Sequence, residues 1–159
     1  MNWTDGKIDK LVTKPINKYS DQRGWLAELY RTDEIPSDIM PQMGYISVTH
    51  PGMSRGPHAH VKQTDVFGFL GPGSMKVIIW DNRPESPSYG TKQEMIVGED
   101  NPVMMIVPPG LVNGYINVSD KDSMVLNFPN SLYKGNNKSE AADEVRYEED
   151  KNSPFKIHG

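Results

Sequence analysis

The sequence predicts an all-β fold, a sandwich or barrel of short strands followed by a short C-terminal helical segment. The chain of 159 residues contains 14 glycines and 13 prolines, which separate short runs of apolar or alternating residues. Turns at such regular spacing are typical of β-sandwiches and β-barrels. The length is that of one domain, so we expect residues 1–159 to form a single unit with its own core.

The N-terminal half supplies the first predicted strands. In residues 6–21, β-branched residues precede a proline, which favours an edge or N-terminal strand, and an apolar run follows the turn that begins at Asp21. Residues 43–60 alternate between apolar and polar positions and break at Pro51–Gly52, which indicates a half-buried strand. Residues 64–83 indicate two strands joined by a Gly-Pro-Gly turn.

The C-terminal half continues this pattern and then changes. Residues 92–110 indicate two strands around a turn at Gly98–Pro102, and residues 114–130 indicate another pair around Ser119–Asp122. The segment after them is polar and acidic, and it carries helix formers between Ser139 and Asp150. Ser139 is a suitable N-cap, and the acidic residues of the first turn suit the helix dipole. We expect a short helix lying on the surface of the barrel.

Composition and charge exclude several classes of function. The formal net charge of −4 and the lack of a basic stripe argue against a nucleic-acid partner. The chain has no cysteine, which rules out disulfides and thiolate chemistry. The polar N-terminus lacks the apolar core of a signal peptide, and no run reaches the roughly 18–20 apolar residues that span a bilayer. We expect a soluble cytoplasmic protein without a membrane partner.

The stretch MSRGPHAHVKQTD, residues 53–65, is the strongest chemical signal. It places His58 and His60 two positions apart, so that on a strand both side chains face the same side. Two chemistries fit this arrangement: a divalent-metal site completed by Asp65, or a general base beside a second histidine. The stretch by itself leaves both open.

Two motifs together resemble the signatures of the cupin superfamily. The first runs from Gly52 through His58, His60 and Asp65, and it resembles GxxxxxHxHxxxxE with aspartate in place of glutamate. The second, residues 108–117, resembles PxGxxHxxxN with Asn113 in place of histidine. The resemblance implies a jelly-roll β-barrel in which these positions converge in the barrel mouth.

A narrower resemblance is to the dTDP-4-dehydrorhamnose 3,5-epimerase family. Four segments carry it, in family order from Asp21 to Tyr133. DQRGWLAELYR resembles the family's DxRGxxxExxR segment, and SRGPHAH resembles its RGxH segment. WDNRPESPSYG resembles its DxRxxSPTYG segment, and VPPGLVNGYINVSD resembles its IPPGxxHGFxxxSD segment. It implies a nucleotide-sugar isomerase that epimerises a 4-keto-6-deoxyhexose nucleotide by removing a proton beside the ketone, without a cofactor.

The resemblance also implies roles for individual residues. His58 falls on the position of the general base, and Arg55 and Arg23 on arginines that contact the substrate. Glu28 falls on a residue near the nucleotide base, reached across a homodimer whose N-terminal strands exchange. The remaining substrate-binding positions are His60, Asn113 and Tyr133. The family's aromatic residue that stacks on the nucleotide base falls on Leu132, and Tyr133 lies one residue after it.

The sequence departs from the family pattern at several positions. The family lysine that stabilises the enolate falls on Asp65, the family tyrosine falls on Asn127, and the carboxylate that orients the base is Glu149 or Asp150. An anion at Asp65 would oppose an enolate. Two alternatives therefore stay open: a metal site of His58, His60 and Asp65 with other chemistry, and a nucleotide-sugar binder that is not a catalyst.

Overall fold

The computed structural model describes residues 2–158, and strands make up most of its regular structure. In chain order they are β1 (Thr4–Asp5), β2 (Val12–Pro15), β3 (Lys18–Asp21), β4 (Gly24–Ala27), β5 (Tyr45–Thr49), β6 (Ser54–Ala59), β7 (Asp65–Phe69), β8 (Ser74–Asp81), β9 (Thr91–Gly98), β10 (Val103–Val107), β11 (Leu111–Asn117), β12 (Ser123–Asn127) and β13 (Val145–Arg146). Two 3-10 helices cover Ser37–Ile39 and Asn136–Lys138. Within residues 2–158, neither has the length or the apolar character needed to cross a membrane.

The strands form two larger sheets and one hairpin. The six-stranded sheet has the order β1-β9-β8-β11-β6-β13, and the five-stranded sheet has the order β2-β10-β7-β12-β5. All pairings in these two sheets are antiparallel except that of β1 with β9. Strands β3 and β4 form a separate two-stranded hairpin. The predicted all-β sandwich is therefore confirmed.

The main core lies between the inner faces of the two sheets. Phe67, Phe69 and Val125 of the five-stranded sheet belong to the same buried cluster as Val77 and Ile79 of the six-stranded sheet. Strands β7 and β10 are buried along their whole length because other segments cover the outer faces as well. Strands buried on both faces have nearly continuous apolar runs, which explains the sequences DVFGF and VMMIV.

The two ends of the chain cover the outer faces of the sheets. Phe155 and Ile157 of the C-terminal tail pack with Trp80 and Val112 on the six-stranded sheet. Ile16, before the β3–β4 hairpin, and Ile35, after it, pack with Val66, Met104 and Ile106 on the outer face of the five-stranded sheet. Two bare sheets would leave their outer faces exposed to water. Covering these faces buries additional apolar area, which stabilises the fold.

The α-helix predicted between Ser139 and Asp150 is wrong. Residues 139–150 form turns and strand β13, and the helical geometry near the C-terminus is limited to the three residues Asn136–Lys138. Strand β13 pairs with β6, with Arg146 opposite His58. Capping and dipole effects contribute only about 1 kcal/mol each, so strand pairing and packing against the sheet outweigh them.

The SPSYG segment forms a turn around a buried carboxylate. Asp81, fully buried at the end of β8, accepts hydrogen bonds from Arg83 Nε at 2.9 Å, Ser86 Oγ at 2.5 Å and Ser88 Oγ at 2.6 Å. Burial alone would raise the pKa of Asp81, but these donors hold it well below its usual range. The segment thus stabilises the β8–β9 connection, and it does not line the cavity described next.

Candidate active site

A large open cavity lies between the two sheets at one end of the sandwich. Its volume is about 1180 Å³, slightly above the range of about 300–1,000 Å³ typical of small-molecule sites. Strands β5, β6 and β11 supply one part of the wall, and residues 131–148 supply most of the rest. Both polar and apolar side chains line it, so the cavity suits an elongated polar ligand with a ring to bury.

Strand β6 and the residue directly after it direct both predicted histidines into this cavity. His58 and His60 line it, and their ring centroids are 5.7 Å apart in an edge-to-face arrangement, as strand alternation predicts. The neighbouring Gly56 has a φ of +74°, and a Cβ there would lie 2.7 Å from the carbonyl oxygen of Asn113. This close approach occurs where the β6–β11 register shifts. The glycine of the RGPH segment is therefore needed to bring His58 to its position.

His60 forms a buried ion pair with Asp65. Its Nε2 lies 3.3 Å from Asp65 Oδ2, and its Nδ1 contacts the carbonyl oxygen of Asp143. Burial alone would lower the pKa of His60, but the hydrogen bond and charge of Asp65 raise it above the ordinary value of 6.5. His60 lines the cavity and Asp65 does not. The imidazole ring of His60 therefore faces the cavity, with the carboxylate of Asp65 behind it.

Asp65 is held by a network below the cavity floor. It is 1% exposed and accepts hydrogen bonds from Gln63 Nε2 and Asn127 Nδ2, both at 2.9 Å. Burial alone would raise the pKa of Asp65, but His60 and these two donors lower it. The charge of Asp65 is thus compensated within the protein by His60, Gln63 and Asn127.

His58 lies in a different electrostatic environment from His60. Burial is the largest effect and lowers the pKa of His58 below 6.5, helped by the nearby charge of His60 and opposed by that of Glu144. The pKa values of the two neighbouring histidines are therefore driven apart, lowered for His58 and raised for His60. A pair of titratable groups separated in this way is typical of an acid–base site.

The other predicted site residues fall into three groups. Arg55 and Tyr133 line the cavity. Asn113 and Asn127 are buried just behind it, at 2% and 1% exposure; Asn113 Nδ2 lies 3.4 Å from the carbonyl oxygen of His58. Three residues lie away from it in this chain: Arg23, Glu28 and Glu149.

Arg23, Glu28 and Glu149 are exposed and form ion pairs outside the cavity. Arg23 pairs with Asp21 on the β3–β4 hairpin, with its side chain 90% exposed, and Glu28 pairs with Arg31. Glu149 lies 3.7 Å from Arg146 and is 70% exposed. The structure therefore does not bring Glu149 to His58.

Sequence reasoning missed three residues that shape the cavity. Glu144 lines it and is the carboxylate with the largest effect on His58. The Asp143 carboxylate accepts the backbone N–H groups of residues 61–63 at 2.7–3.1 Å, which fixes the loop after β6. Tyr45 also lines the cavity, and the alternation of residues 45–49 was the one sequence signal for its position.

Comparisons with known proteins agree with this site. The model of the family described as dTDP-4-dehydrorhamnose 3,5-epimerase matches residues 5–148. A probable low-salt glycan biosynthesis epimerase, Agl13 of Haloferax volcanii, is 32% identical over 127 residues, which cover 79% of this chain and 81% of that protein. The spore coat polysaccharide biosynthesis protein SpsL of Bacillus subtilis is 32% identical over 126 residues, covering 79% of this chain and 82% of that one.

Solved structures show the same fold. A dTDP sugar isomerase from Desulfovibrio desulfuricans superposes with a TM-score of 0.81 at 20% identity, covering 94% of this chain and 91% of that one. The dTDP-6-deoxy-D-glucose-3,5-epimerase of Legionella pneumophila, solved with dTDP-4-keto-L-rhamnose, gives a TM-score of 0.74 at 20% identity over 91% of this chain and 76% of that one. The predicted jelly-roll barrel and the predicted class, a nucleotide-sugar epimerase, are confirmed by these matches taken together. The chain belongs to the dTDP-4-dehydrorhamnose 3,5-epimerase family.

Proposed function

We propose that this protein epimerises a 4-keto-6-deoxyhexose carried on a nucleoside diphosphate, and that His58 removes the proton on the carbon next to the ketone. The observation that carries the proposal is a pair of histidines on the same wall of one cavity, of which His60 is paired with Asp65 and His58 is not, so that the pKa of His58 is lowered and that of His60 is raised. His58 in its neutral form accepts the proton. General-base catalysis is most efficient when the pKa of the base lies near the working pH.

The His60–Asp65 pair takes the part that a lysine plays in the family pattern. Removing the α-proton leaves negative charge on the ketone oxygen, and that charge needs a fixed donor or cation nearby. His60 faces the cavity while Asp65 lies behind it and favours the protonated form of the ring. Asp65 thus supports the cation, which in turn stabilises the enolate.

Arg55 is suited to the diphosphate. Its Nη2 donates to the carbonyl oxygen of Val48 at 2.8 Å and its Nε to Thr49 Oγ1 at 3.1 Å, which fixes the guanidinium at the cavity wall. Lys62, Lys134 and Arg146 also line the cavity. Guanidinium and ammonium groups at these positions match a phosphate-bearing ligand.

Solvent deuterium exchange tests the proposed function. The protein is incubated in D₂O with dTDP-, UDP- and GDP-linked 4-keto-6-deoxyhexoses, and label at C3 and C5 is followed by mass spectrometry and proton NMR. We expect incorporation at one or both carbons together with the epimerised product. Tight binding without incorporation on every member of the panel would instead identify a binder that is not a catalyst.

The pH dependence of kcat/KM is expected to be bell-shaped. His58 acts as the neutral base and its pKa is below 6.5, so the rising limb lies below that pH. His60 keeps its proton above pH 6.5, and activity falls at higher pH when that proton is lost. Asp65→Asn removes a group that raises the pKa of His60, so the falling limb should move to lower pH.

The control for this change is Asp122→Asn. Asp122 also pairs with a histidine, His50, at 2.7 Å, but both side chains are exposed and lie outside the cavity lining. The control should leave the profile unchanged. A falling limb that stays in place in Asp65→Asn would show that His60 is not the group responsible.

A metal-dependent reaction is the second candidate. One ligand atom each of His58, His60 and Asp65 lie within 4.8 Å of one another, which suits two imidazoles and a carboxylate around a divalent ion. The hydrogen bonds that already engage both nitrogens of His60 favour the ion pair over this arrangement. We expect activity to survive EDTA treatment. Loss of activity that returns with Fe²⁺, Mn²⁺, Ni²⁺ or Zn²⁺ would favour the metal.

We also propose a homodimer formed through the β3–β4 hairpin. The hairpin pairs with neither large sheet, and it exposes Tyr19, Trp25 and Leu26. Apolar side chains on a protruding hairpin suit a subunit interface. In such a dimer Arg23 and Glu28 would reach the partner's cavity, as the family resemblance implies. Sedimentation velocity should show two chains per particle, and Leu26→Glu should give monomers; a monomeric wild type would contradict the proposal.

A further inference from the structure

Strands β5 and β12 place a tyrosine opposite the position where the family pattern has one. Tyr45 and Asn127 are register partners in the five-stranded sheet. Asn127 falls on the family's tyrosine, so the residue expected to return a proton to the sugar is absent there. The phenol of Tyr45 lies directly beside it.

A hydrogen bond sets the direction of the Tyr45 hydroxyl. Asn127 Nδ2 donates to Tyr45 Oη at 2.9 Å and also to Asp65 Oδ1 at 2.9 Å. Since the phenol oxygen is the acceptor, its own hydrogen is left to donate elsewhere. Burial raises the pKa of Tyr45 to about 12, although the Asn127 donor acts in the opposite direction. Tyr45 is thus protonated at neutral pH, and Asn127 stabilises the phenolate that forms when the proton leaves.

His58 and Tyr45 reach the cavity from opposite sheets. His58 lies on β6 of the six-stranded sheet, and Tyr45 lies on β5 of the five-stranded sheet. Both line the same cavity. A sugar ring bound between the sheets therefore presents one face to the imidazole and the other to the phenol, and inversion at a carbon needs groups on both faces.

The other two tyrosines of the cavity are less suited to this part. Tyr115 lies on β11, in the same sheet as His58, and its hydroxyl is 3.1 Å from Ser47 Oγ. It approaches from the side of the base. Tyr133 lies in the loop after β12 and is 46% exposed, as Tyr45 is, but among the described residues no hydrogen bond fixes its hydroxyl as Asn127 fixes that of Tyr45.

We propose that Tyr45 is the catalytic acid that returns the proton, in place of residue 127, and this rests on the proposed function. His58 takes the α-proton, and the C–H electron pair becomes the enolate. The Tyr45 O–H bond then breaks as a new C–H bond forms on the opposite face of the same carbon. The phenolate that remains accepts a proton from solvent, and the His58 imidazolium releases one to solvent, so the enzyme returns to its starting state.

The test compares Tyr45→Phe with the wild type in D₂O, because product formation and exchange report on different groups. Without the acid, His58 can still remove the proton and return a deuteron to the same face. We expect the variant to form epimerised product at about one hundredth of the wild-type rate or below, with KM unchanged. Deuterium should still enter the unepimerised substrate at a rate within several-fold of the wild type. Tyr89→Phe is the control, since Tyr89 is 48% exposed and lies outside the cavity lining.

Each outcome decides the assignment. Slow product with retained exchange supports Tyr45 as the acid. Wild-type product formation in Tyr45→Phe overturns it, as does an equal loss of product and exchange, which would mark a structural role. Loss of product in Tyr115→Phe with an active Tyr45→Phe would assign the acid to Tyr115. Absence of exchange in the wild type itself would overturn the proposed function, a result distinct from a failure of Tyr45 alone.

Discussion

Replacing His58 with asparagine is expected to lower the turnover number of epimerisation by about 10³- to 10⁴-fold, the range attributed to a well-placed general base. His58 lies on the cavity wall, and its lowered pKa keeps it neutral at the working pH. Asparagine keeps a polar side chain of similar length but cannot take the α-proton. Deuterium exchange into the substrate should fall by the same factor, since both depend on the same step.

His50→Asn is the matched control for this substitution. His50 directly follows strand β5, but its side chain is 77% exposed and pairs with Asp122 away from the cavity. Activity and exchange should stay at the wild-type level. If His58→Asn retained a tenth or more of the wild-type turnover while its thermal unfolding was unchanged, another group would be the base.

Asp81→Asn is expected to have the largest effect on stability. Asp81 is fully buried and accepts bonds from an arginine and two serines. Removing the charge leaves Arg83 without its anion, and the single oxygen of asparagine cannot serve both Arg83 Nε, which donates to Oδ1, and the two serines, which donate to Oδ2. Breaking a buried pair of this kind costs about 3 kcal/mol, which for a chain of this size lowers the midpoint of thermal unfolding by about 6–12 °C. Calorimetry at pH 7 measures it.

Asp33→Asn provides the control for Asp81→Asn. Asp33 also pairs with an arginine two residues away, Arg31, at 2.8 Å, but the Asp33 side chain is 63% exposed. Its loss should leave the unfolding midpoint nearly unchanged, because water screens exposed pairs. Equal changes in the unfolding midpoint for the two substitutions would show that burial of Asp81 does not increase its contribution to stability.

The pH dependence of the free energy of unfolding gives a second test of the role of Asp81. Its pKa is lowered in the folded state, so its contribution to stability is present above the unfolded value of about 3.8 and is lost as the pH falls. The difference between wild type and Asp81→Asn should therefore be constant from pH 5 to pH 8 and should shrink in more acidic solution.

The segments that identify the family do not all serve the site. The SPSYG segment matches the family pattern most closely, yet Asp81 and its serine donors build a turn. The RGPH segment does serve the site, since Gly56 permits the close approach that positions His58. A sequence match thus located the fold and the proposed base His58, but it did not separate residues that stabilise a turn from residues that line the cavity.

The sequence by itself determined the strand pattern, the jelly-roll family and the common face of His58 and His60. These follow from local periodicity and short motifs, in which the informative residues are close along the chain. The sequence predicted Glu149 or Asp150 as the carboxylate that orients His58, whereas the structure places Glu144 in the cavity lining with His58, because strand β13 forms where a helix was expected.

Only the tertiary structure decided which groups work together. The His60–Asp65 pair, the contact of Tyr45 with Asn127 and the support of Asp143 for the loop after β6 depend on how strands pair and pack. Tyr45 and Asn127 are 82 residues apart, and Asp143 and Gln63 are 80 apart. A shift of one residue in register would turn each of these side chains to the other face of its sheet, so their chemistry is fixed by the packed core that sets the register.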